Sequence, residues 1–307
     1  KNSTNDPSRV FAQRADWHTV FTTPADALSP WSGSVNDFRD PLLLELTAPV
    51  AEIEVRGEND FTLRRNNSND WSVVGEKYPA DADNVQSFIK LLAGLRVADF
   101  VKDVVTAPDL QTYGLATPAR QIILRSAADD TNAVIARLLF GATQTNEVYV
   151  KRGDEDFIYA ISTNDFNRLP ETGWEFRDRR IWNFSETNVA SITLRQNGKT
   201  RQLLRDGLNE GSLAAGSQGI INPPAMEETA HRLGGLTAYG WLSPDVTDPA
   251  ELGWNTNNLQ ITVALKNGEK CSVDFISEIP QLHSASALTT LDGKRWAFVF
   301  PPVLYQF

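Results

Sequence analysis

Phe38-Arg39-Asp40-Pro41-Leu42-Leu43-Leu44 leads into Val50-Ala51-Glu52-Ile53-Glu54-Val55, and Phe176-Arg177-Asp178-Arg179-Arg180-Ile181-Trp182 leads into Val189-Ala190-Ser191-Ile192-Thr193-Leu194. Phe38 and Phe176 stand 138 positions apart, Val50 and Val189 139. A period of that length marks a duplicated domain, since solenoid repeats run roughly 20–50 residues. Ahead of each Phe-Arg-Asp the pattern also recurs. Two short apolar segments at 10–14 and 19–21, with a helical turn at 25–28, resemble 148–152, 157–161 and 165–169. The chain therefore divides into 1–39, the tail of a partial repeat; 40–178, a complete repeat; and 179–307, a second, diverged repeat.

Inside the complete repeat, Ile53-Glu54-Val55 and Phe61-Thr62-Leu63-Arg64 alternate as strands around the turn residues Gly57-Glu58-Asn59-Asp60. Trp71-Ser72-Val73-Val74 makes a third strand. Asp81 or Asp83 is placed to cap a helix whose apolar face is Val85, Phe88, Ile89, Leu92 and Leu95. Asp109-Leu110 and Tyr113-Gly114-Leu115 follow, with Gly114 suited to a left-handed helix end and Pro118 closing the segment. Strands over 121–124, 134–140, 147–151 and 157–161 then form a meander. The later repeat follows the same order, with strands at 192–194 and 201–204, a helix over 225–236, and strands at 259–265, 270–276 and 297–300. The fold class expected is α+β: tandem duplicated modules, each an antiparallel sheet or meander with one main helix.

The 307 residues are 41% hydrophobic and 22% charged, enough to bury two cores. A formal charge of −10 disfavours nucleic acid, whose phosphates demand basic patches, and an anionic lipid surface. No apolar run reaches the ~18–20 residues of a spanning helix, so no direct membrane insertion is expected. The sequence begins at Lys1 without methionine, and its one methionine is Met226. The expectation is a processed or trimmed chain with a frayed polar start over residues 1–9.

Arg39-Asp40 and Arg177-Asp178 are the candidate binding residues, and the expected role is a buried Arg-Asp junction between copies. Pro41 stands where Arg179 stands later, so the two junctions are expected to differ in backbone donors. No metal site is expected: His18, His231 and His283 lack zinc spacing, Cys271 is alone, and Asp154-Glu155-Asp156 reads as a hairpin tip. Asp129-Asp130 reads as a turn, and His231 as a partner of Glu227 one helical turn away. Gly293-Lys294 is no phosphate loop, Ser217 no nucleophile elbow, and Gly234-Gly235 suits close helix packing or a helix end. Trp17, Trp31, Trp174, Trp182 and Trp241 could line a sugar groove but are expected to pack. The aromatic end at 296–307 resembles a barrel strand, but Pro301-Pro302 breaks its alternation.

Trp71, Leu92, Leu95, Asp109, Leu110, Tyr113, Gly114, Leu115, Pro118, Gly141, Arg177 and Asp178 together resemble the bacterial family called domain of unknown function 4340. The likeness is fuller over 50–185 than over 189–307, where Trp254 replaces Leu115 and no proline follows. The resemblance implies a cell-envelope protein, often membrane-anchored at its N-terminus. It also implies genes lying near ABC-transporter permease and gliding-type transport genes. It carries no known reaction, catalytic residue or cofactor.

The resulting expectation is a non-enzymatic extracytoplasmic binding or assembly module, accessory to an ABC-type transport system. It would sit in the periplasm, anchored through a segment outside this chain, with a transporter permease or other envelope protein as partner and no cofactor. The alternatives are a glycan- or peptide-binding module and, less favoured, a carboxylate-dependent hydrolase near Asp178.

Overall fold

The computed structural model describes residues 6–31, 33–66, 70–127, 130, 133–208, 210–255 and 257–306. Of the start expected to fray over 1–9, residues 1–5 lie outside the described residues, as do the turn residue Asp129 and the terminal Phe307, while Arg9 is already in a strand. The chain forms two compact units, Lys1–Glu58 with Phe88–Leu169, and Asn59–Ser87 with Pro170–Phe307, so block 40–178 contributes to both.

Strands β1 (Arg9–Ala12) and β2 (Phe21–Pro24) come first, followed by 3-10 turns at Ala25–Trp31 and Val35–Phe38. Next are β3 (Glu52–Arg56), β4 (Phe61–Arg65), β5 (Trp71–Val73), β6 (Pro79–Ala80) and α1 (Ala82–Ala93). Then come β7 (Asp99–Lys102), α2 (Ala107–Thr112), β8 (Arg120–Arg125), β9 (Val134–Gln144), β10 (Glu147–Arg152), β11 (Ile158–Ser162) and α3 (Thr163–Phe166). The later block holds β12 (Val189–Gln196), β13 (Lys199–Gly207), β14 (Glu210–Leu213), α4 (Pro223–Gly234) and β15 (Gly240–Ser243). It ends with β16 (Gln260–Leu265), β17 (Lys270–Ile279), β18 (Ser284–Leu291), β19 (Lys294–Val299) and α5 (Pro302–Tyr305). Short helices and antiparallel ladders make the class α+β, weighted towards β.

In the first unit, strands hydrogen-bond in the order β3-β8-β9-β10-β11-β7. Ile122, Ile123 and Leu124 are buried in succession, as in a strand covered on both faces. Buried Arg125 donates to Glu52 at 2.9 Å and to Glu54 at 2.7 Å on the neighbouring β3, which keeps that charge paired.

In the second unit, β4, β5 and β6 pair in that order, and eight further strands run β14-β13-β12-β16-β17-β18-β19-β15. Met226, Ala230 and Leu233, at helical spacing on α4, are buried. Ala230 and Leu233 join Val189, Ile192, Val263 and Phe298 in one core.

Asp81, not Asp83, caps α1: its carboxylate accepts the N–H groups of Asp83 at 3.0 Å and Asn84 at 3.2 Å. The later helix starts and stops two residues before its expected bounds. Asn222 caps it and Pro223 takes the first helical position, where no N–H is needed. At its end the Gly234 backbone lies against Phe184, and a Cβ there would sit 2.3 Å from the Phe184 carbonyl oxygen.

The strand expected over 19–21 lies at Phe21–Pro24 instead. Strands β7, β14, β15 and β18 had no readable alternation. β18 is Ser-Ala-Ser-Ala-Leu-Thr-Thr-Leu, whose small residues give a weak pattern although six of the eight are buried.

Candidate functional site

Each Phe-Arg-Asp triplet begins on the last residue of a 3-10 turn closed by an acidic side chain. The Ser34 N–H donates to Asp37 at 2.5 Å, and the Thr172 N–H to Glu175 at 2.8 Å. At the first joint, the Arg39 guanidinium carbon stands 4.0 Å from the Phe100 ring centroid and 5.7 Å from that of Phe157. Its guanidinium N–H also donates to Asp103 at 2.6 Å. At the second, the Arg177 guanidinium carbon stands 5.6 Å from the Trp241 centroid, 4.4 Å from Trp296 and 4.5 Å from Tyr78, and the guanidinium donates to Asp292 at 2.8 Å. Phe100 and Trp241 occupy the second positions of β7 and β15, and Phe157 and Trp296 lie 139 apart.

A planar cation over aromatic faces is attracted by the ring quadrupole, and more strongly where water is excluded. The Arg177 side chain is 7% exposed and that of Arg39 24%, so the second joint is the drier. Burial pushes the Tyr78 hydroxyl up to about 12, keeping that phenol neutral beside the guanidinium. The Trp241 indole N–H donates to the Arg177 carbonyl at 3.0 Å and fixes the ring beneath the side chain.

The expected Arg-Asp junction takes another form. Each Asp accepts the backbone N–H two residues on, Asp40 from Leu42 at 2.9 Å and Asp178 from Arg180 at 2.7 Å, which are Asx-turns. The chain then lies beside the exit of the main helix. Leu43 N–H donates to the Leu95 carbonyl at 3.0 Å and Ile181 N–H to that of Leu236 at 2.8 Å. The return bonds, Val97 to Pro41 and Ala238 to Arg179, both measure 2.7 Å. Position 41/179 therefore contributes its carbonyl in both joints, and proline fits where a lost donor had been expected to matter. Asp103, Asp292, Phe100, Phe157 and Trp296 were not singled out. The recurrence of an aromatic residue at 100/241 and 157/296 was the available signal.

The Tyr-Gly-Leu segment is also used locally. Asp109 accepts from the Thr106 hydroxyl at 2.6 Å and its N–H at 2.9 Å, and pairs with Lys102 at 3.1 Å. These bonds, chiefly from Thr106, hold the Asp109 carboxyl down at about 2. Because the folded value lies below the ordinary 3.8, its contribution is complete above pH 3.8 and is lost as pH falls towards 2. Asp109→Asn should therefore lose less thermal stability than the wild type between pH 4 and pH 2. Equal acid sensitivity in two melting series would contradict the assignment.

Gly114 has φ +69 and ends α2. Leu110, half-buried, accepts the N–H of buried Leu115 at 2.7 Å, and half-buried Pro118 precedes β8. The Tyr113 ring packs edge-on to Tyr149 at 4.7 Å. In the later block, Gly253 (φ +89) ends the turn at Pro249–Leu252, and Trp254, where Leu115 would stand, packs against Ile276, Leu288 and Ala297.

A Cβ on Gly141 would sit 2.2 Å from the Tyr113 carbonyl oxygen. Gly141→Ala should cost about 1–3 kcal/mol by overpacking. An unchanged urea midpoint would show that the segment can move aside.

Other candidates are dispersed. Trp182 is in the core and Trp241 under Arg177, while Trp17 and Trp31 are exposed and Trp174 is half-buried, so these five do not form a groove within either unit. His231 contacts Glu186 at 3.4 Å rather than Glu227, because the buried Arg205 claims Glu227 at 2.8 and 3.0 Å. Burial pushes the Cys271 thiol up, against thiolate reactivity. Asp154 and Asp156 pair with Arg152 and Lys151. Trp296 is buried within β19. Among the described residues no group of three His, Cys, Asp or Glu could hold a metal, and no helix is long and apolar enough to cross a membrane.

No curated protein and no solved structure matches the chain. The family model described as domain of unknown function (DUF4340) matches residues 71–256. That span is more than half of the 307 residues and takes in Trp71, the Tyr113-Gly114-Leu115 segment, Gly141 and the Arg177-Asp178 joint. The chain belongs to the DUF4340 family.

Proposed function

We propose that this chain is a non-enzymatic binding and assembly module built by duplication, working on the extracytoplasmic side of a bacterial envelope as an accessory to an ABC-type transport system. The observation that carries the reading is the use made of its repeated charged residues. Arg39 lies on two aromatic rings and Arg177 on three, with one carboxylate each, and Asp40 and Asp178 close turns. Side chains engaged in this way act as joints, not as acids, bases or nucleophiles.

Element order supports the duplication. The succession β3-β8-β9-β10-β11-β7 corresponds strand for strand to β12-β16-β17-β18-β19-β15. Helix α1 precedes β7 as α4 precedes β15, and β4-β5 correspond to β13-β14. The envelope location and the anchor rest on the resemblance, and the acidic charge agrees with a protein partner more than with phosphate-rich surfaces.

The test is affinity purification of the natural protein from detergent-solubilised membranes. Recovery together with a transporter-type permease or another envelope protein is expected. Recovery from cytosol alone, without partners, would overturn the proposal.

A further inference from the structure

The hairpin β1-β2 pairs Arg9 with Pro24, Val10 with Thr23, Phe11 with Thr22 and Ala12 with Phe21. The hairpin β10-β11 pairs Glu147 with Ser162, Val148 with Ile161, Tyr149 with Ala160 and Val150 with Tyr159. Each of these eight positions is displaced by the same 138 residues, so the register is identical. The turn at Val35–Phe38 corresponds to that at Gly173–Phe176 by the same shift.

The surroundings differ. The outer edge of β10 is paired with β9 and that of β11 with β7, and β18 and β19 are flanked likewise by β17 and β15. Among the described residues β1 and β2 pair only with each other. Val10 in β1 is buried, but other apolar side chains in and beside the hairpin are more open than their counterparts. Val20, Phe21 and Phe38 are 56%, 45% and 60% exposed, whereas the corresponding Ile158, Tyr159 and Phe176 are buried. Phe176 is covered by Phe61 of β4, at 5.8 Å between rings, and a Cβ on the neighbouring Gly173 would meet Phe61 and Val73. Among the described residues Phe38 therefore has no counterpart of the β4-β5 pair over it, and β1 and β2 have no flanking strands. An open apolar edge of this kind is an aggregation liability unless it is covered.

We propose that this edge is covered by a half-module built like residues 50–144, carried ahead of β1 on the same polypeptide and completing a third copy. The inference rests on the repeated-module part of the reading above. The same-chain source follows from connectivity: in both complete copies the strand paired with the β10 or β18 edge is the one immediately before it in the chain.

The test compares amide hydrogen exchange in residues 1–307 with exchange in the chain extended by its natural upstream sequence. In the extended chain the amides of β1 and β2 are expected to exchange at least about tenfold more slowly, with Trp31 fluorescence shifted to the blue. An upstream sequence without this strand-and-helix pattern, or equal exchange in the two chains, overturns the proposal. So does slowing of residues 1–307 that grows with concentration, which identifies a second copy as the cover. Failure here leaves the Arg39 and Arg177 joints standing, because their coupling is measured without the hairpin.

Discussion

Trp71→Ala is expected to lower the unfolding free energy by about 3–5 kcal/mol, the range found when a buried indole or phenyl is truncated in a core. Trp71 is only 2% exposed at the start of β5, opposite Arg65, whose guanidinium carbon lies 5.9 Å from its ring. The neighbouring Leu63 and Val73, one strand apart in the same ladder, are buried too, so the vacated space has little solvent access. Urea denaturation of the two proteins measures the difference. A loss below about 1 kcal/mol would place the indole at the surface.

Arg177→Ala is expected to cost about 2–4 kcal/mol, from three ring contacts and the packing of the aliphatic stem. The cost stays below that of breaking a fully buried ion pair, because Asp292 is 52% exposed and rehydrates when its partner is removed. Arg177→Lys should recover less than half of the loss, since an ammonium keeps the charge but not the planar stacking. The corresponding Arg39→Ala should cost less than Arg177→Ala, as Arg39 is more exposed and meets two rings instead of three. Equal stability of Arg177→Ala and wild type by chemical denaturation would contradict the packing described.

How much of this was legible in sequence depended on the range of the interaction. The main helices, a cap at Asp81 or Asp83 and the left-handed Gly114 are set by neighbours within a turn, so their residues showed them, although only the structure selects Asp81. The recurrence of Phe-Arg-Asp, and of the alternation that follows it, was legible because both are contiguous stretches of sequence. The partners of the two arginines were not. Asp103 and Asp292 are single acids in connecting segments, 64 and 115 residues from their arginines, and nothing local distinguishes them from other turn residues. Strand β18 was hidden because its buried positions are Ser, Ala and Thr as well as Leu, which a hydrophobic alternation does not register. His231 was misassigned for a related reason: helical spacing offered Glu227, but tertiary packing gave that carboxylate to Arg205.

Two parallel double-mutant cycles bear on whether one ancestral module was used twice with its arginine seated on the same aromatic pair. One couples Arg39 to Phe157 and the other Arg177 to Trp296, each residue being changed to alanine singly and together. Both cycles are expected to give a favourable coupling of about 0.5–2 kcal/mol, larger in the second. Additive losses in either cycle, within about 0.5 kcal/mol, would mean that the two joints do not share a structure and that the duplication does not explain how the chain is held together.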